Sequence, residues 1–378
     1  MRPALTMRYA GFYGGFFLTA GILLPFWPLW LENRGLGAVQ IGLLLALGPW
    51  VRVLSNPVVA QIADRSGRAK TVLVIFAGLS VLAFAAFLPA QGFWWIAAIS
   101  LLATICFPAM LPIGESQVMA AVLRHKLDYG RIRLWGSITF ILGTLGAGWL
   151  LTGRDPDLIL LLVLAALAAT FVATLSFPQQ PNEASKSERG GIVTLLRQPQ
   201  FVLFVITASL LQASHAVLNG FSTLHWRAAG ISETIIGGLW AEGVIAEIAL
   251  FSVSGFFVAR LGPIGLLAVA GIAGMVRWTV LAQTTDLTAL LIVQVLHGIT
   301  FGAVHLAAMH YVARNAPAGL SATAQGVYAS TSGQAMGLAM IGAGSLFAAF
   351  EGKAFFAMAA ISAVGTALVL ALWLQNRE

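Results

Sequence analysis

Charge is scarce in this sequence. Asp, Glu, Lys and Arg make up 9% of the 378 residues and 59% are apolar, whereas a soluble domain carries about 25% charged residues. So thin a polar shell excludes an ordinary soluble enzyme, a disordered chain and a nucleic-acid module. Cysteine is scarcer still. Cys106 stands alone, which excludes an internal disulfide, and its apolar surroundings mark it as a packing residue. There is no His-Glu-x-x-His, no cysteine pair, no P-loop, no G-x-G-x-x-G turn and no nucleophile elbow. The chain is therefore expected to hold no metal and no cofactor, and not to be an enzyme.

What the sequence has in abundance is long apolar runs. Twelve fall at residues 9–31, 39–63, 71–89, 93–120, 132–152, 158–176, 200–226, 234–259, 264–282, 287–312, 322–349 and 354–374. A helical crossing needs about 20 residues, and the short alternating strands of a barrel do not appear. The runs are rich in Gly and small residues, as close helix packing in lipid requires. The expected fold is an all-α membrane protein of twelve transmembrane helices in two pseudo-symmetric six-helix bundles. The first run lacks a small-residue cleavage site and is read as retained. With the N-terminus inside, the inner segments hold 15 of the 21 Lys and Arg residues and the outer loops hold 4. That bias puts both termini in the cytoplasm, in a bacterial inner membrane.

Residues 177–198 form the longest polar stretch, dominated by Pro, Gln, Glu, Ser and Lys. They read as a cytoplasmic linker between bundles at residues 1–176 and 199–378. The halves echo each other. An offset of 195 pairs Ile41-Gly42 with Ile236-Gly237, Leu44 with Leu239, Gly48 with Gly243 and Gly67 with Gly262, and sets Arg52 opposite Glu247. An offset of 190, anchored on Arg124 and Arg314, sets Glu115 opposite His305. Repeats of this kind place ionisable groups at matching depths around a shared site.

Five formal charges lie within the runs: Arg52, Glu115, Glu242, Glu247 and Arg277. Each costs about 2.5–3.5 kcal/mol at a helix centre, so each must pair, neutralise or face water. His215, His297, His305 and His310 lie within or near the runs. Gln212, His215, Asn219 and Ser222 recur at i, i+3, i+7 and i+10, one polar stripe on the seventh helix. His297 and His305 are eight residues apart, about 80° around a regular helix, so both can face one interior. Glu242 and Glu247 differ by about 140° and should not share a face. Glu247, near mid-span, is the favoured proton-carrying acid.

Ala63-Asp64-Arg65-Ser66-Gly67-Arg68, after the second run, resembles the loop signature of the major facilitator superfamily, with Ala60 and Ala69 as departures from it. Leu23-Leu24-Pro25-Phe26-Trp27, the stretch from Leu127 to Ser137, Leu210 to Ala216, His305 to Met309, and the Ala246-Glu247 and Val276-Arg277-Trp278 pairs resemble the phenylpropionate permease group. That group is similar in layout to the lactose permease branch of proton symporters. The resemblance implies a gating loop at Asp64, Arg65, Gly67 and Arg68. It also implies proton coupling through Glu247, Arg277 and His305, on the eighth, ninth and tenth helices. The branch's second acid on the tenth helix is missing here, which leaves His305 or Glu115 to fill its role, with His297 nearby.

The function expected is proton-coupled symport of a small organic solute by alternating access. Arg52 and Arg277 suit a carboxylate; Gln212, His215, Asn219 and Trp27 complete the candidate substrate contacts, with Trp30, Trp50 and Trp240 as further walls. An aromatic acid such as phenylpropionate is favoured. Trp beside amides and His also suits a sugar or nucleoside, and a proton-linked drug exporter shares the same features. An intramembrane enzyme or a non-transporting sensor is the reading from a different class. The expected partners are the solute, a proton and the lipid bilayer, with no nucleic acid, for a chain working as a monomer.

Overall fold

The computed structural model describes residues 2–178, 191–317 and 320–375, without the side chains at positions 2, 3, 60, 64, 191 and 322. Most of the expected linker, and the side chain of the expected gate residue Asp64, lie outside the described residues. Among these residues there are helices and turns and no strand. Ten stretches are long and apolar enough to cross a membrane. One of them, Thr323–Gln375, contains two helices, and Ala69–Ala85 is a shorter apolar helix. These account for the twelve runs read from the sequence. Leu54, Leu82, Trp94 and Trp149 remain largely exposed on helix surfaces, as a lipid-facing protein requires.

The chain forms two compact units. The first comprises Met1–Ser185 with Gly230–Ala241, and the second Lys186–Ala229 with Glu242–Glu378. In the first unit the helices are α1 (Arg2–Asn33), α2 (Ala38–Ser66), α3 (Ala69–Ala85), α4 (Phe93–His125), α5 (Tyr129–Leu151) and α6 (Leu158–Leu175). α1 packs on α5 and α6, and α4 on α2 and α3. Small residues permit the close approach: a Cβ on Gly21 would strike the Phe140 carbonyl, and one on Gly15 would meet Thr170. At one end Arg34 ion-pairs with Asp157 at 2.9 Å and lies 4.8 Å from the Trp30 ring, tying the α1–α2 turn to the α5–α6 turn.

The second unit is built from α7 (Gly191–Leu196), α8 (Pro199–Ala213), α9 (Ala216–Ala228), α10 (Glu233–Ser252), α11 (Ser254–Gln283), α12 (Leu287–Gln294), α13 (Val304–Asn315), α14 (Ser321–Phe350) and α15 (Phe355–Gln375). The first part of α10 belongs to the first unit. Its core stacks Phe204 on Tyr311, ring centroids 3.7 Å apart, among Val205, Leu211, Leu267 and Val369.

Three runs are more broken than their sequence suggests. The seventh splits at Ser214–His215. The eighth breaks at Val253 and then runs on to a sharp turn at Gly262, which holds φ +62° before Pro263 starts the ninth. The tenth passes through a π-helical segment, Gly298–Ala303. The two glycines paired by the offset of 195 share one backbone feature. Gly67, 195 residues before Gly262, holds φ +61°, and a Cβ would meet nothing within 4 Å at either position.

Candidate functional site

In the second unit the polar side chains converge on Arg277. It sits on the buried face of α11 and is fully buried. Its Nη1 donates to Thr300 Oγ1 at 2.9 Å and to His297 Nδ1 at 3.2 Å, and its Nη2 donates to Gln294 Oε1 at 2.7 Å. The guanidinium carbon lies 4.6 Å from the Trp278 ring. Its Nε has no hydrogen-bond partner. Among the described residues no carboxylate forms an ion pair with it. An arginine cannot accept a hydrogen bond, so His297 Nδ1 must be the acceptor, and His297 is the neutral tautomer with its proton on Nε2.

The breaks in the helices deliver the partners. The interruption after α8 turns His215 inward, where it is 1% exposed. Its Nδ1 is 3.1 Å from the Gln212 carbonyl and its Nε2 3.2 Å from Thr300 Oγ1. A carbonyl only accepts, so Nδ1 carries the proton and Nε2 accepts from Thr300. The resulting relay runs from Arg277 through Thr300 and His215 to the backbone of Gln212. Trp278 closes one side, its Nε1 donating to Ser214 Oγ at 3.2 Å and Ser362 Oγ at 3.1 Å. Phe301 stacks on His297 at 5.4 Å, and Gln212 Nε2 reaches the Phe301 carbonyl at 3.5 Å.

Only one of the two histidines of the tenth run joins the cluster. His297 meets Arg277, while His305 is exposed, 6.1 Å from the Phe251 ring. The structure does not bring the two together at Arg277. Glycine lets the π-helical segment pack closely on the eighth run: a Cβ on Gly298 would lie 2.6 Å from the Ala246 carbonyl oxygen, and one on Gly302 would lie 3.4 Å from Glu247 Cγ. Glu247 thus borders the π-helical segment and is absent from the hydrogen bonds of Arg277. Glu242 is half-buried, with Oε2 unpartnered. Asn219 is half-buried and donates its backbone N–H to the His215 carbonyl, and Ser222 closes on its own helix through Leu218.

The first unit carries a second cluster. Tyr129 on α5 donates its phenol to the Glu115 carboxylate on α4. Arg133, one turn further along α5, lies 4.1 Å from the Phe17 ring and 5.3 Å from Tyr13 on α1. Trp27 stacks on Trp30 at 4.6 Å and meets Phe84 and Phe87 edge-on. Arg52 is exposed, with Nε donating to the Gly48 carbonyl of its own helix at 3.1 Å. At the expected gate Gly67 makes the turn, and Arg65 and Arg68 are exposed.

Sequence reasoning placed Gln212, His215, Arg277 and His297 among the candidates, and the structure brings these four together. It passed over Gln294, Thr300, Tyr129 and Arg133. The first two had a readable signal: Gln294, His297 and Thr300 recur every third residue on the tenth run. Tyr129 and Arg133 lie four apart on one helix face.

Several known proteins resemble this chain. The model of the MFS_1 like family matches residues 6–358. A probable 3-phenylpropionic acid transporter of Escherichia coli (strain K12) is 35% identical over 304 residues, 80% of each chain. A maltose permease of Geobacillus stearothermophilus is 26% identical over 84% of this chain and 82% of its own. The crystal structure of nucleoside transporter NupG superposes with a TM-score of 0.88 over 98% of this chain and 99% of that one, at 17% identity. That last likeness is one of fold.

Proposed function

We propose a substrate and an energy source for this chain from the premise that it belongs to the MFS_1 like family and is a multi-pass membrane transporter of the major facilitator type. The reading is proton-coupled uptake of a small aromatic carboxylate by alternating access. It operates across a bacterial inner membrane, both termini being cytoplasmic. The relative described as a probable 3-phenylpropionic acid transporter supports this choice of substrate class.

Arg277 is the observation that carries it. A guanidinium buried among neutral partners, with one N–H unmet, is an uncompensated cation. Burying such a charge is unfavourable unless an opposite charge joins it. A substrate carboxylate supplies that charge, and the planar fork of arginine suits two carboxylate oxygens. Trp278 and Phe301, beside the cluster, suit an aromatic ring.

Proton and substrate would then bind together. A proton arriving at His297 Nδ1 turns the acceptor of Arg277 into a donor, and their hydrogen bond breaks. Nη1 is released towards the carboxylate, and the added positive charge strengthens the attraction. Glu247 beside the π-helical segment, together with Glu115 and His305, completes the proposed proton pathway. Gln212, His215, Asn219, Arg52 and Trp27 remain proposed substrate contacts.

Purified protein in liposomes, given labelled 3-phenylpropionate and an acid-outside gradient, should accumulate the label above equilibrium and lose it on adding a protonophore. Entry that stops at equilibrium whatever the gradient would reject proton coupling. The Glu115–Tyr129 contact favours a second reading, since a carboxylate that accepts a phenol hydroxyl can accept a sugar hydroxyl, and a maltose permease is among the relatives. Uphill accumulation of maltose or uridine in place of phenylpropionate would select it.

A further inference from the structure

The end of α9 carries a histidine that the cluster at Arg277 does not use. His225, in the last turn of α9, is half-buried. Its ring lies against Gly352, where a Cβ would strike the imidazole, and meets the Phe347 ring edge-on with centroids 6.3 Å apart. Phe347 in turn stacks on Phe221, one turn earlier on α9, at 4.9 Å. The imidazole is thus seated between α14 and the tight turn Glu351–Ala354 that leads into α15, all within the second unit. Gln200, in the first turn of α8, donates to the Gln375 carbonyl at the end of α15. The seat of His225 therefore lies at the opposite end of these helices from the C-terminus.

Ionisable groups around the seat are few. α9 packs on α14, α15 and the tight turn between them. α14 and α15 contain no Asp, Glu, Lys, Arg or His, and their one tyrosine, Tyr328, lies far along α14 from Phe347. The tight turn supplies Glu351 and Lys353, and α9 itself supplies Arg227, all three exposed. Glu351 is the one acid of residues 321–375. It holds φ +49° and ψ −129°, a conformation open to glycine and strained for other residues. Its carboxylate is within electrostatic reach of the imidazole, and among the described residues it makes no ion pair. A strained backbone thus holds the local acid beside the histidine, and strain of this kind marks switch regions.

We propose that His225 and Glu351 form a pH-sensitive catch at this end of the second unit. Packing against Gly352 and Phe347 suits the neutral ring, whereas a charged ring needs water or an acid. At neutral pH the ring stays seated and holds α9 to the turn between α14 and α15. Protonation draws it out of the seat towards the Glu351 carboxylate and loosens that hold. In the orientation proposed above this end faces outward, so external acid operates the catch. The proposal is independent of substrate, of proton coupling and of the cluster at Arg277.

Thermal melting of the full chain in detergent, at about pH 8 and about pH 5.5, on either side of the ordinary histidine range, tests it. The seated ring contributes its packing above that range and loses it as the pH falls through it, while Glu351, ionised at both values, limits the loss. The unaltered chain should therefore melt lower at the acid pH. His225→Phe, whose ring cannot charge, should show a fall smaller by about 2 °C. His225→Gln, a neutral side chain that does not crowd Gly352, should narrow the fall in the same way. Glu351→Gln should widen the fall, because the acceptor is gone, and should have no such effect in the His225→Phe background. An equal fall in all of these proteins, or a fall narrowed by Glu351→Gln, would overturn the proposal. Circular dichroism at about pH 8 separates a lost pH response from a lost fold. No substrate is added, so failure of the transport reading would leave this result standing.

Discussion

The two units handle buried charge in opposite ways. In the first, Glu115, Tyr129 and Arg133 are half-buried, an acid and a cation are both present, and aromatic rings cover the guanidinium. In the second, Arg277 is sealed from solvent and bonded to a hydroxyl, an amide and an imidazole. The repeat preserved a glycine turn to within one degree of φ and let the chemistry diverge. The first cluster is electrostatically closer to complete. Among the described residues no carboxylate is hydrogen-bonded to the guanidinium of the second, and the proposal that a charged solute is held there rests on this asymmetry.

The sharpest break in that comparison comes from removing each cation. Arg277→Gln should lower phenylpropionate uptake by the equivalent of about 2–5 kcal/mol, the scale for truncating a buried, hydrogen-bonded charge. Arg277→Lys should recover little, because an ammonium cannot reproduce the fork. Arg133→Gln should cost less than Arg277→Gln, because Arg133 is only half-buried. Initial uptake rates in liposomes measure all three, and equal losses at the two arginines would erase the asymmetry.

Backbone packing comes next. Gly298→Ala forces a methyl group against the Ala246 carbonyl and should destabilise the protein by about 1–3 kcal/mol. Gly146→Ala in the first unit, where a Cβ meets nothing within 4 Å, should be close to neutral. Thermal melting in detergent would show the difference.

Histidine identity sharpens the comparison within the second unit. Uptake by the unaltered chain should rise as the external pH falls, the outcome expected of the proposed release of Arg277 by a proton on His297. His297→Gln should flatten that slope and reduce the rate about a hundredfold, the low end of the range for a positioned proton-transfer group. His305→Gln, outside the hydrogen bonds of Arg277, should flatten it less. A flattened profile in His305→Gln alone would restore the acid–arginine–histidine relay that family resemblance implied.

A last comparison concerns what the units share. Gly67→Ala and Gly262→Ala each place a methyl group at positive φ and should each cost about 1–3 kcal/mol. Unequal melting shifts would mean that the two turns are less alike than their dihedral angles.

Much of the fold was legible because lipid imposes a simple rule. Backbone groups must be satisfied internally, so every apolar run becomes a helix. The same rule hides breaks within a run. Nothing in residues 287–312 states that Gly298–Ala303 will be π-helical or that Gly298 will lie against the Ala246 carbonyl of another helix. Counting residues at a fixed angle cannot supply either. Arg277 was readable as a buried charge needing a partner, and His297 as a candidate beside it. The three-residue spacing of Gln294, His297 and Thr300 was there to be read, but being uncharged, Gln294 and Thr300 declare their bonds to Arg277 only once α11 and the tenth segment are packed together. Glu115 was readable for the same reason as Arg277, whereas Tyr129 belongs to a residue type that is ordinary at helix ends in membranes.

The most direct measurement compares 3-phenylpropionate with 3-phenylpropanamide, which keeps the ring and the chain and removes the charge. Isothermal titration of each into the purified protein should show the carboxylate binding at least about tenfold more tightly, with the preference lost in Arg277→Gln. Equal affinity for acid and amide, or a preference that survives Arg277→Gln, would contradict the assignment of the buried guanidinium as the substrate's anchor.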